Sequence, residues 1–245
     1  KKKITVAIAG KYTGLKDSYI SILKALEHCE AELNVKVKVK WLETSEIEKG
    51  KKSVEKEMKG VNGLVVPGGF GKRGIEGKIK CIEYCRKKNI PLFGLCLGFQ
   101  LMLIEFARNV LGLRKGNSTE VEPKTSEPII DLLPEQKKLE GLGGTMRLGG
   151  FDVQLKSNTI AFKLYGKKKV IRERFRHRYE LNPEYIQRFE EKGIVFSGRA
   201  KKVPIMQILE LPEHKFFFAT QFHPEFTSRP LKPNPCFLAF VKSCL

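Results

Sequence analysis

Histidine is scarce in this chain, with four residues in 245, at positions 28, 177, 214 and 223. None lies near a cysteine at zinc-ligand spacing, and the six cysteines (Cys29, Cys81, Cys85, Cys96, Cys236 and Cys244) form no Cys-x-x-Cys pair. No metal site is therefore expected. Cys81 and Cys85, four apart in a helical pattern, read as packed or half-exposed thiols. No apolar run approaches the roughly 20 residues that cross a bilayer, and the N-terminus lacks the apolar core of a signal peptide. Scattered thiols without a secretory signal point to a reducing compartment, so a cytoplasmic location and no membrane partner are expected. Internal repeats, low-complexity linkers and a Walker-type phosphate loop are also missing. The chain begins at Lys1 without Met, which marks it as a candidate fragment.

Acidic residues are the minority charge: 46 Lys and Arg face 27 Asp and Glu, a net charge of +19. Such a charge attracts polyanions. The lysines are spread along the chain without interleaved aromatics, and no helix-turn-helix, zinc-finger or RNA-recognition signature accompanies them. A solvated lysine-rich surface is the expected reading and nucleic acid is not an expected partner. A chain of this length buries roughly 70–75% of its unfolded surface, enough for one core.

The first half alternates strand and helix signals. Short apolar runs at 4–9, 63–66 and 91–95 read as buried parallel strands, and the alternating 35–41 as a half-exposed strand near an edge. Between them lie helical patterns after Asp17, a candidate cap, and over 75–88. After Asn109 the alternation fades, and 114–145 reads as long surface excursions or a lid. Strand signals follow at 151–155, 169–175, 194–197, 205–209 and 215–221, then a closing helix over 235–245. The expected fold is α/β: a doubly wound, mostly parallel central sheet flanked by helices, with a small additional antiparallel portion in the C-terminal half. Residues 1–245 are expected to form a single domain.

The string Gly94-Leu95-Cys96-Leu97-Gly98 follows a buried strand and precedes the apolar-periodic segment 100–110. This is the strand–turn–helix setting of a nucleophile elbow, with Cys in place of Ser. A turn this sharp leaves no room for side chains two positions either side, and the positive end of a helix dipole favours a thiolate. The Leu97 N–H points where an oxyanion would form. The same pentapeptide also reads as a buried cysteine at a strand end. Pro67-Gly68-Gly69-Phe70-Gly71 offers backbone N–H groups to a ligand, or is a plain glycine-rich turn. His28 and His214 read as surface residues. In extended chain His223 and Glu225 share one face with Pro224 fixing the backbone between them, which suits a base and its orienter as well as an exposed ion pair. Cys96 beside them favours the catalytic reading.

The three motifs PGGFG, GLCLG and FHPEF together resemble the class I (triad) glutamine amidotransferases. The further stretches 116–120, 142–149, 176–180 and 221–228, with Gly10-Lys11-Tyr12 before a helix, are similar to the glutaminase domain of the CTP synthases, and the likeness covers essentially the whole chain. The resemblance implies that Cys96 attacks the glutamine side-chain amide to give a glutamyl thioester and ammonia. His223 then acts as base and acid with Glu225 orienting it. Gly69 and Leu97 would supply oxyanion N–H groups, Gly98, Phe99 and Gln100 would complete the pocket, and Glu120 and Arg178 would hold the α-amino and α-carboxylate groups. Taken alone, Glu120 and Arg178 pass for surface charges, and Arg176 competes with Arg178. Phe70 and Arg73 lie where the family senses GTP as activator, or are exposed loop residues. Phe99 stands where many relatives carry Met.

By the same resemblance no cofactor is needed by these residues. In the full-length enzyme an N-terminal amidoligase domain receives the ammonia and aminates UTP to CTP, with ATP and Mg²⁺, in a homotetramer. Two rival readings remain open: a glutaminase subunit of a different pathway, and a basic binding module with a vestigial triad.

Overall fold

The computed structural model describes residues 1–10, 16–133, 146–201, 203 and 205–245, and the side chains of all of these but residues 16 and 17. The expected Lys11-Tyr12 motif, part of the 142–149 stretch and the 134–145 part of the expected lid lie outside the described residues, as does the side chain of Asp17; the residue at the N-cap of the helix that follows is Tyr19. Five strands open the chain's alternation: β1 (Lys2–Gly10), β2 (Val35–Glu43), β3 (Gly63–Val66), β4 (Leu92–Leu95) and β5 (Gly116–Ser118). Interleaved with them are α1 (Ile20–Leu33), α2 (Thr44–Glu48), α3 (Val54–Glu57), α4 (Ile75–Lys87) and α5 (Leu97–Asn109). The second half holds β6 (Glu127–Asp131), β7 (Arg147–Leu155), α6 (Ile160–Leu164), β8 (Val170–His177), β9 (Glu180–Leu181) and α7 (Ile186–Glu190). It closes with β10 (Val195–Arg199), β11 (Met206–Glu210), β12 (Phe217–Thr220) and α8 (Pro235–Ser243).

The main sheet has nine strands in the order β2-β1-β3-β4-β12-β11-β10-β7-β8. From β2 to β12 every pairing is parallel, and from β12 to β8 every pairing is antiparallel. The expected antiparallel portion is thus a continuation of the central sheet, with β12 as the seam. At the β2 edge, Val35 and Val37 are buried while Lys36 and Lys38 face solvent, a charged alternation that discourages further pairing. A separate three-stranded sheet, β5-β6-β9, takes in part of the segment expected to be surface excursions. Its strands are too short and polar to carry a period.

Successive residues of the buried parallel strands feed opposite faces, as the period of two requires. Leu64 and Leu92 pack under α4 and α5 with Phe99, Leu103 and Phe106, while Val65 and Phe93 pack under α1 and α8 with Leu26, Phe237 and Phe240. Helix α5 is buried from Leu97 through Ala107. Its one charge there, Glu105, is fully buried and receives a two-pronged bond from Arg86 (2.7 and 2.9 Å) and one from Asn109 (3.0 Å). No helix among the described residues is long and apolar enough to cross a membrane.

Close approach at the start of α5 fixes where β3 and β4 end. A Cβ on Gly98 would meet the Val66 carbonyl oxygen at 2.1 Å, and one on Gly94 the Met102 sulfur at 2.6 Å and the Gly98 carbonyl carbon at 2.8 Å. Gly98→Ala is therefore expected to destabilise the protein by at least about 3 kcal/mol, since backbone on both sides must move. Urea unfolding monitored by circular dichroism checks this, and a midpoint equal to that of the unaltered protein contradicts the packing account.

Candidate active site

The carboxyl ends of β3, β4 and β12, three neighbouring parallel strands, converge on one point, where open α/β sheets present their ligand crevices. Strand β3 runs into Pro67-Gly68-Gly69, β4 into Cys96, and β12 towards His223. Cys96 N–H donates to the Thr220 carbonyl (2.8 Å) and His223 N–H to the Arg174 carbonyl (2.8 Å), which pins Cys96 to β12 and His223 to β8. Cys96 sits at φ +52°, ψ −99°, a left-handed conformation costly for a residue with a Cβ, and so aims its sulfur off the strand end at the start of α5. Gly68 lies so close that a Cβ there would meet His223 Cε1 at 3.0 Å and Cys96 Cβ at 3.4 Å. The glycine loop is thus pressed against the Cys–His pair.

His223 Nδ1 bonds to Glu225 Oε1 at 2.7 Å in a buried setting. The ring stacks on Phe226 at 5.0 Å. Its Nε2 is buried and has no partner meeting hydrogen-bond geometry, although the Cys96 sulfur is within electrostatic reach. Burial works against the charged ring but is outweighed by the Cys96 sulfur and the Glu225 carboxylate, which together push His223 up to about 10. The Cys96 thiol itself donates to the Arg176 carbonyl at 3.6 Å. Apo geometries of this kind commonly tighten only once substrate is bound.

Two cavities meet at Cys96. One, of about 190 Å³, is lined by Tyr19, Gly68, Phe70, Arg176, His223 and Phe226 among others. The other is lined by Gly69, Leu97, Gln100, Glu120, Arg178 and Tyr179, again with Phe70 and Cys96. Glu120 and Arg178 come together there through the small sheet: Glu120 follows β5, Arg178 precedes β9, and both strands pair with β6. Arg176 turns the other way, its guanidinium 5.6 Å from the centre of the half-exposed Phe70 ring. At about 20 Å³ the second cavity has room for a single water, so any larger ligand must displace its walls. The Phe70–Arg176 contact, worth about 0.5–1 kcal/mol at an exposed site, is weak enough to yield.

Not every expected residue reaches these cavities. Phe99 is fully buried in the core and Gly98 packs on Val66, so neither lines a wall, and the exposed Arg73 lines neither cavity. His28 and His214 are not plain surface residues. His28 Nδ1 bonds to Ser228 Oγ (2.9 Å), and His214 bonds to the Cys85 carbonyl (3.2 Å) with burial pushing its pKa down. Sequence reasoning missed Gln221, which is fully buried against Cys96, and the buried set His177–Glu180–Arg147, joined at 2.8 and 3.0 Å. It also missed Glu173, whose carboxyl is pushed up by burial while Tyr165 (2.8 Å), Thr227 (2.9 Å) and Asn234 (3.2 Å) donate to it behind the His223 loop. Gln221 alone had a signal, since in extended chain it shares the face of His223 and Glu225.

The description of the glutamine amidotransferase class-I family matches residues 14–243. The chain belongs to the class-I glutamine amidotransferases and, among them, to the glutaminase domains of the CTP synthase kind. A solved relative, the Trypanosoma brucei CTPS glutaminase domain with bound acivicin, is 33% identical, with a TM-score of 0.90 over 98% of this chain and 93% of its own. CTP synthases of Thermococcus kodakarensis and Archaeoglobus fulgidus are 53% and 52% identical over 98% and 100% of this chain. The alignments cover 44% and 45% of those proteins, so the chain spans less than half the length of these curated relatives.

A histidine raised in the folded state lends stability that is complete below its unfolded value of about 6.5 and is lost as pH rises through about 10. The Glu225 carboxylate is one of the groups holding His223 up. Glu225→Gln is therefore expected to move the His223 ring titration downward in an NMR pH series. An unchanged titration separates Glu225 from the ring's electrostatics.

Proposed function

We propose that this chain hydrolyses L-glutamine to glutamate and ammonia. The observation that carries the reading is the convergence at Cys96 of two cavities, one lined by the His223–Glu225 pair and the other by Glu120 and Arg178. The Cys96 sulfur attacks the side-chain carbonyl carbon of glutamine. The electron pair moves to oxygen, which the Gly69 and Leu97 N–H groups receive. His223, holding the thiol proton, passes it to the departing nitrogen, so ammonia leaves and a glutamyl thioester remains. His223 then takes a proton from water, the hydroxide attacks the thioester, and glutamate departs as the thiol is reprotonated. Glu225 keeps the imidazole oriented throughout. Glu120 and Arg178 match the α-ammonium and α-carboxylate of an amino acid, which rejects simple amides.

The single-domain reading of 1–245 is kept, with the two faces of one nine-stranded sheet as support. In a protein of the relatives' length, an amidoligase domain N-terminal to these residues would take the ammonia and aminate UTP to CTP with ATP and Mg²⁺. GTP activation through the Phe70 loop, a homotetramer and a cytoplasmic location complete that reading.

Glutamate release by the chain, with Cys96→Ala as its control, tests the proposal; the substitution is expected to lower the rate by about a thousandfold or more. Equal rates would end the nucleophile assignment. A glutamine-mimicking diazoketone should label Cys96 alone. Burial pushes the other thiols up, Cys29, Cys81 and Cys244 to about 12, and it raises Cys85 and Cys236 as well. Glu120→Gln removes a charge-assisted bond of about 1.5–3 kcal/mol and is expected to raise KM about tenfold to a hundredfold. A KM unchanged in that variant would return Glu120 to the surface charges.

A further inference from the structure

Between the Cys96 sulfur and the wall of the Glu120–Arg178 cavity runs a chain of amide groups with a defined direction. Gln100 Nε2 donates to the Tyr179 carbonyl at 2.9 Å and to Gln221 Oε1 at 3.2 Å. The Tyr179 carbonyl can only accept, so it fixes which end of the Gln100 amide faces inward, and Gln100 in turn fixes the Gln221 amide. With its oxygen engaged, Gln221 presents Nε2 to Cys96 and donates to Sγ at 3.7 Å. Its backbone N–H is held by the Gln207 carbonyl at 2.9 Å, and the residue is wholly buried.

We infer that Gln221 takes part in the reaction: its side-chain N–H holds the Cys96 sulfur and stabilises the negative charge that develops on it, while Gln100 ties this donor to the wall of the substrate cavity. The inference rests on the nucleophilic role proposed for Cys96. A protonated thiol can satisfy itself on the Arg176 carbonyl, but an ionised sulfur has no proton to give there and needs donors. Hydrogen bonds to an ionised acceptor are roughly twice as strong as neutral ones, and burial strengthens them. The titratable and charged groups around the sulfur are His223 with Glu225 behind it, Tyr19 and Arg176 in one cavity, and Glu120, His177, Arg178 and Tyr179 in the other. None of these is altered by substituting Gln221. The arrangement also couples substrate to nucleophile, because the Tyr179 carbonyl that orients Gln100 belongs to a residue of the cavity wall.

The experiment is alkylation of Cys96 by iodoacetamide, followed by peptide mass spectrometry from about pH 5 to about pH 9. It compares the unaltered chain with Gln221→Met, which fills the space without a donor, and Gln221→Glu, which keeps the shape but presents an acceptor. The alkylation profile is expected to move to higher pH by about one unit in Gln221→Met, that is, about tenfold slower reaction on the acid limb. Gln221→Glu is expected to move at least as far. Glutamine turnover should fall about tenfold in kcat with KM little changed. A purely structural glutamine would lower the melting temperature and leave the midpoint where it was, so an unmoved midpoint in both variants overturns the inference. Should Gln221→Met not fold, the neutral Gln221→Leu decides in its place, because a carboxylate at 221 raises the midpoint by charge repulsion alone. Full glutaminase activity in Cys96→Ala would remove the nucleophile reading itself, whereas a required Cys96 with an unmoved midpoint removes only the role of Gln221.

Discussion

The tight crossing of β3 under the first turn of α5 is the contact on which the site depends. Gly98 rests on the Val66 carbonyl with no space for a methyl group, and Gly94 rests on Met102 and on Gly98 itself. Only because both lack side chains can Cys96 stand between them in a left-handed conformation with its sulfur clear of the sheet. The same closeness sets the height of Gly68 and Gly69 relative to the sulfur, and the Thr220 bond to Cys96 sets that of the His223 segment. Three strand ends are thereby held at one level, as a preorganised site needs.

Around this rigid centre the polar groups are buried, and several of their bonds join segments far apart in the chain. Glu173 on β8 gathers Tyr165, Thr227 and Asn234 and so anchors the loop that carries His223 and Glu225. Glu180 receives both His177 and Arg147, bracing the strand that leads to Arg178. Buried carboxylates without such donors are costly. Each therefore selects one arrangement of the segments it joins. The Cys96 sulfur lies between a wider cavity beside His223 and a narrow one beside Glu120, so one atom is reached from two sides.

Much of this was legible in the sequence where the cause is local. The runs at 63–66 and 91–95 are too short and too apolar to be anything but buried strands, and their bounds agree with β3 and β4 to within a residue. The elbow was legible because glycine's steric reason lies within five residues; the His223–Glu225 pairing was legible from the close spacing, although the structure joins the two across a 3-10 turn, Pro224–Phe226, and not along extended chain. Glu120 and Arg178 were not legible from periodicity. The strands that bring them together are two to five residues long and join only through β6. The burial of His28 and His214 was missed for a like reason, since their partners Ser228 and Cys85 are far along the chain. Phe99 stands beside Cys96's elbow in sequence, yet its side chain lies in the core in space.

Strand β12 is parallel to β4 on one side and antiparallel to β11 on the other. Among the described residues it is also the last strand along the chain, yet it lies in the middle of the sheet. A chain folded only as far as β11 holds Cys96 at the end of an unpaired strand edge, with neither His223 nor Gln221 beside it. Insertion of β12 closes that edge and brings both residues to the sulfur in one event. The order of the chain thus acts as an interlock: the thiol meets these partners only when β12 is in place, so a half-folded chain carries neither of them beside Cys96.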